Sequence, residues 1–275
     1  MQKTILAPVE FTGIGLHTGQ LCTIRLSPIE EFGYFIKSSD CITKIEKNTI
    51  SGGMLGTNVT LENGQVVRTV EHLLAAIVSV GLTNVVIEVL GDEIPIMDGS
   101  SQEFATSLEL NGFKTLERPI PKIHINSSMK VVFDDKWIEL VPRDDNLQLF
   151  NLTIDFQNPV VDEMPQTISY IHTRDNFMRC VAQARTFGFQ NEIESLLAMK
   201  LCIGGSTNNA VVITDDGVLN PDGLRFNNEL VAHKLLDLIG DLSPILPMLG
   251  GFELNAYKCG HMLNNSLLLK LYDLQ

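Results

Sequence analysis

The sequence predicts an α+β fold built as two similar domains, and three observations carry that expectation. Strand-like, turn-rich segments open each half. In each half a helix of 3.6-residue period, a strand and a second helix follow, so each reads as a sheet carrying two helices. Between the halves, residues 116–122 (Leu-Glu-Arg-Pro-Ile-Pro-Lys) hold two prolines and mark a boundary, giving domains 1–118 and 119–275.

Residues 1–67 alternate as strands, most clearly over 21–26, and the glycines at 13, 15 and 19 fit a tight hairpin bearing His17. They match neither a dinucleotide fingerprint nor a phosphate loop with its lysine. His17 fits a structural role better than a site wall. Residues 51–57 form a glycine-rich loop just ahead of a helix over 68–80, which Gly81 caps. A strand over 84–90 follows, then a loop in which Asp98 stabilises a turn. Ser100 and Glu103 form a capping box for a helix ending near Gly112.

The second half predicts strands over 122–126 and 147–156, with a hairpin through Asp134 and Asp135 between them. His124 and His172 lie in strand-like surroundings without a partner motif and read as structural. Helices over 174–184 and 192–199 follow, with a turn at Gly204 and Gly205 and a strand over 210–214. A helix over 227–242, a strand over 252–257 and a last helix opened by residues 258–261 complete the chain.

Two of these helices carry chemistry. On the 227–242 helix, His233 and Asp237 are four residues apart and project from one side, with Asp241 a turn further on. Alone, that spacing also fits a plain His–Asp hydrogen bond. The 68–80 helix adds the adjacent pair Glu71 and His72 at its start, beside an apolar run where an ionised carboxylate has little structural use. If the helices face each other, His72, His233 and Asp237 supply three ligands and leave one position open, the arrangement of a catalytic zinc. Glu71 is then placed to take a proton from a bound water.

Composition limits the alternatives. The 275 residues are 44% hydrophobic, enough for a large core. The net charge of −13 argues against nucleic-acid binding, which needs a basic footprint. An anionic ligand must find a local patch, for which Lys234, Lys258, Arg185 and Lys136 are candidates. Five scattered cysteines with no CxxC pair point to free thiols in a reducing compartment. The first ten residues lack a signal-peptide layout and the longest apolar run is too short to span a bilayer, so a soluble cytoplasmic protein is expected.

Several motifs then coincide in order across nearly the whole chain. They include 15–19 (GLHTG), 69–73 (TVEHL), 93–100 (EIPIMDGS), 184–189 (ARTFGF), 204–206 (GGS), 218–226, 233–241 and 257–261. Together they resemble the UDP-3-O-acyl-N-acetylglucosamine deacetylases, zinc amidases of lipid A synthesis in Gram-negative bacteria. The resemblance implies a β-α-α-β sandwich with the site between the two domains. It implies one zinc per chain on His72, His233 and Asp237, with Glu71 as general base. It further implies a protonated His261 oriented by Asp241, and Thr186 on the developing oxyanion. Residues 190–213 would form a passage for the substrate's acyl chain, with Ile193 and Val212 in its wall. Phe187, Phe189, Lys234 and Lys258 would contact sugar, nucleotide and phosphates. Thr207 stands where some relatives have a bulky aromatic, so no acyl-chain preference carries over. A monomer with at most a peripheral approach to the inner membrane is expected. Two rival readings remain: a zinc amidase for another N-acetyl sugar or acylated amine, and a carbohydrate- or lipid-binding module with a structural metal.

Overall fold

A computed structural model describes residues 1–274. Two sheets flank a double layer of helices. The first sheet runs Phe113–Thr115, Lys3–Ile5, Asn84–Leu90, Leu21–Pro28, Val9–Ile14, with Gly33–Ser38 also paired to Asn84–Leu90 and Cys41–Lys44 beside Gly33–Ser38. The second runs Met129–Phe133, Lys136–Pro142, Phe252–Tyr257, Gln148–Thr153, Thr167–Ile171. Asn84–Leu90 and Phe252–Tyr257 are interior strands of their sheets, and each joins two helices.

The helices are α1 (Glu71–Ser79), α2 (Gln102–Asn111), α3 (Pro159–Asp162), α4 (Arg174–Cys180), α5 (Ile193–Ala198), α6 (Glu229–Leu242) and α7 (His261–Tyr272). Every residue of α1 is buried, and in α6 only Lys234 is not. Leu73, Leu74, Ile77, Leu235, Leu236 and Ile239 carry no exposed surface. Each such side chain contributes roughly 1.5–3 kcal/mol through burial. The pairs α1–α2, α1–α6 and α6–α7 pack together, so the two halves meet helix against helix. Gly240 lets α6 press onto the start of α1: a Cβ there would lie 2.2 Å from the Glu71 carbonyl oxygen. Any larger residue would push the two helices apart at the point where their polar side chains converge.

The predicted elements appear with four corrections. No strand forms over 122–126; Ile123 makes only a single bridge to Leu249, with its N–H donating to the Met248 carbonyl. The capping box does not form. Helix α2 begins after Ser101 without a side-chain cap, because the Ser100 hydroxyl donates to Asp98 at 2.7 Å instead. Asp98 is thereby the turn residue expected, and it also accepts from Arg225. Helix α4 stops at Cys180, since the Ala182 carbonyl accepts from the Ser101 N–H across the two halves. Helix α1 starts at Glu71 rather than 68, because Thr69 has φ +58° and cannot continue a right-handed helix.

Candidate metal centre and active site

The facing surfaces of α1 and α6 bring the predicted trio together. His233 Nε2 lies 3.3 Å and His72 Nε2 3.7 Å from Asp237 Oδ1. All three donors fall within 4.8 Å of one another, and all three residues are buried. The His233 Nδ1–H is fixed by the Ala184 carbonyl at 3.1 Å, which leaves Nε2 of the neutral ring as a bare lone pair facing the carboxylate. Asp237 Oδ1 and His72 Nδ1 have no hydrogen-bond partner.

Electrostatics sharpen the point. Burial, with His233 beside it, pushes His72 down to about 3, and burial lowers His233 as well, so both rings are neutral near pH 7. Burial alone would raise Asp237, but His233, Lys234 and His261 hold it well below the usual carboxylate range. Two neutral imidazoles and a carboxylate oxygen without a hydrogen-bond partner converge in a buried space, an arrangement that a bound cation would satisfy. This donor set fits a borderline divalent ion such as zinc.

Around the trio stand two proton-handling groups. Glu71, the first residue of α1, accepts from the Thr57 N–H at 2.9 Å. Burial raises its carboxyl to about 7, Asp237 and Asp241 adding to the effect and His261 opposing it. His261 opens α7 and turns Nε2 to 3.9 Å from Asp237 Oδ2. Burial would lower it, but Asp241, by charge and by a 3.0 Å hydrogen bond from Nδ1, outweighs this and raises it to about 9. Asp241 is itself held by the Thr57 hydroxyl and by Asn264 Nδ2 at 2.8 Å.

Thr186 is half-buried and its hydroxyl makes no hydrogen bond among the described residues. It leads into Phe187–Phe189, which pairs in parallel with Val211–Ile213. The Phe187 ring lies 6.0 Å edge-on to His233, and Phe156 joins Phe187 and Phe189 at 5.3 and 5.5 Å. Val212 is half-buried on this ribbon, while Ile193 starts α5, a helix with no buried residue.

The four basic candidates separate. Lys234 Nζ is drawn inward to Asp237 Oδ2 at 2.6 Å. Lys258 is paired with Asp135 at 2.7 Å and Asp155 at 3.2 Å, which raises it. Arg185 is no ligand patch, because its guanidinium is buried in an ion pair with Glu229 at 2.7 Å. Lys136 stays exposed at the Lys136–Pro142 strand's start. Sequence reasoning missed Thr57, Asn264, Phe156 and Glu93. Of these, Thr57 closes the glycine-rich 51–57 loop, Glu93 opens the 93–100 motif and Phe156 closes a strand-like stretch, while Asn264 left no signal. The five cysteines are free.

A family model described as UDP-3-O-acyl N-acetylglycosamine deacetylase matches residues 2–273. The chain belongs to that family. Among similar proteins of this deacetylase family, the one from Photobacterium profundum, a UDP-3-O-acyl-N-acetylglucosamine deacetylase, is 41% identical over 97% of this chain and 88% of its own. Proteins of the same name from Campylobacter fetus (40%, over 98% and 91%) and Vibrio cholerae (39%, over 97% and 88%) are similar to it too. The α+β sandwich accords with this membership. Among the described residues no helix is long and apolar enough to cross a membrane.

Proposed function

We propose that the chain hydrolyses the N-acetyl group of UDP-3-O-acyl-N-acetylglucosamine, releasing acetate, as an early committed step of lipid A synthesis. The observation that carries this reading is the convergence of three buried ligand-type side chains with Glu71 and His261 at one helix crossing. His72, His233 and Asp237 would hold one zinc ion per chain. When bound, zinc supplies Lewis acidity that polarises an amide carbonyl and makes a water more acidic. Glu71 accepts the attacking water's proton at its carboxylate. The His261 cation and the Thr186 hydroxyl donate hydrogen bonds to the oxygen that becomes negative. The departing amine takes a proton from Glu71 or His261.

Phe187, Phe189, Lys234 and Lys258 would contact sugar, nucleotide and phosphates, and residues 190–213, with Ile193 and Val212, the acyl chain. The aromatic cluster beside His233 supports an amphiphilic ligand over a purely polar one. A boundary at 118/119, a cytoplasmic monomer and at most peripheral contact with the inner membrane complete the reading.

Metal analysis combined with acetate release from the acylated UDP-sugar tests it, with the non-acylated UDP-sugar as comparison. Equal turnover of both would point to a broader N-acetyl-sugar amidase, and zinc binding with no acetate release would reject the enzyme.

The charge states set the pH profile. Activity needs Glu71 ionised and His261 protonated, so kcat/KM should rise through the Glu71 pKa and fall as His261 loses its proton, a limb that a bound cation moves below the metal-free value of about 9. A nearby cation favours the carboxylate and moves the acid limb below about 7. Asp241→Asn removes the charge that raises His261, so the basic limb should shift to lower pH. An unmoved basic limb would remove His261 from its role.

A further inference from the structure

A buried carboxylate, Glu93, stands outside the convergent group and is held by the His17 N–H and by Thr69, a residue close to that group in the chain. Glu93 has no exposed surface, and no Lys or Arg lies within ion-pair distance of it among the described residues. Its oxygens accept four hydrogen bonds instead. Oε1 takes the His17 N–H at 2.8 Å and the Thr69 hydroxyl at 3.0 Å. Oε2 takes the Thr18 N–H at 2.9 Å and the Thr18 hydroxyl at 2.8 Å. An unpaired charge is expensive to bury, and four donors are what make it tolerable.

Those donors come from two separate segments. The first is the hairpin between Val9–Ile14 and Leu21–Pro28, which closes on the carboxylate so tightly that a Cβ at Gly15 would lie 2.3 Å from Oε2. This hairpin carries His17, whose Nε2 lies across Gly56 from Glu71: the two side chains approach one Cβ position on Gly56 at 3.7 and 3.1 Å. The second is Thr69, two residues before Glu71 and three before His72. Its φ of +58° is a strained setting for a β-branched side chain and persists only when neighbours enforce it. The backbone beside Glu93 also locks this turn, with the Arg68 N–H donating to the Asp92 carbonyl and the Ile94 N–H to the Arg68 carbonyl.

We infer that Glu93 is a positioning residue: by clamping Thr69 in the left-handed conformation and the His17 hairpin against it, it sets the start of α1 and so the aim of Glu71 and His72. It touches neither the three donors nor any reacting atom. Its influence runs through the backbone of residues 69–71, so it acts on metal affinity and turnover together, and not on substrate recognition. The inference builds on the deacetylase reading, but zinc affinity tests it separately.

The experiment compares Glu93→Gln with wild type as full chains. Zn(II) affinity is measured on apoprotein by competition with a chromogenic chelator, and kcat and KM on the zinc-loaded protein. A glutamine turns an amide NH2 toward donors on one side, so two of the four bonds fail. Zn(II) affinity and kcat should each fall roughly ten- to hundredfold, the range for residues that orient metal ligands, with KM unchanged. A folded Glu93→Gln protein with wild-type affinity and kcat, even if it melts earlier, overturns the inference. Should Glu93→Gln not fold, Thr69→Val removes one hydroxyl and keeps the shape. It should lower affinity and kcat in the same sense, and Thr69→Ser should restore them; wild-type values for Thr69→Val overturn the inference equally. Weakened zinc binding in a series whose wild type releases no acetate would sink the deacetylase reading and leave the positioning role standing.

Discussion

Glu71→Ala is expected to lose about 10²–10⁴-fold in kcat, the usual contribution of a positioned general base, while its zinc content stays at the wild-type level. The expectation follows from a separation of roles along one helix turn. His72 points Nε2 at Asp237, whereas Glu71 faces Thr57, His261 and Gly56. Its carboxyl is raised to about 7 chiefly by burial, which makes it a better base than an exposed glutamate while it can still ionise at neutral pH. Removing it relieves a buried charge but strands the Thr57 N–H, so Glu71→Gln, which can still accept that hydrogen bond, is the paired control. Both variants should bind zinc stoichiometrically and turn over slowly. Near-normal turnover in either would reject Glu71 as the base.

The parts of this molecule that were legible in the sequence are those set by local pattern. The buried α1 and the almost wholly buried α6 left continuous helical periodicity, and Asn84–Leu90, an apolar run, and Phe252–Tyr257, an alternating one, match their expected bounds. The His–Asp spacing on α6 and the Glu–His pair on α1 were equally visible. What failed was decided by competition at a distance. Ser100 had a capping partner at the right spacing, but Asp98 claimed its hydroxyl first. Arg185 looked like a free cation until Glu229, 44 residues on, enclosed it. Glu93 opens the 93–100 motif, but its role is not legible there, since its donors lie 24 to 76 residues away. Lys234 was visible as a cation, but not its turn inward to Asp237.

That inward turn governs the second large effect, Asp237→Ala, which should both empty the metal site and destabilise the apoprotein. Asp237 is only 3% exposed and carries two partnerships at once. Oδ1 faces His72 and His233, and Oδ2 accepts from Lys234 Nζ. Truncation deletes the only anion of the trio, so zinc stoichiometry should fall well below one. It also strands the Lys234 ammonium in a mostly buried setting, and breaking such a pair costs about 3–5 kcal/mol. A lower Tm alone would therefore say nothing about metal. The double variant Asp237→Ala/Lys234→Met separates the two effects, because it removes the uncompensated charge without restoring a ligand. Its Tm should recover toward wild type while zinc binding stays lost. Stoichiometric zinc in either variant would end the assignment of Asp237 as a ligand, whatever the melting temperature did.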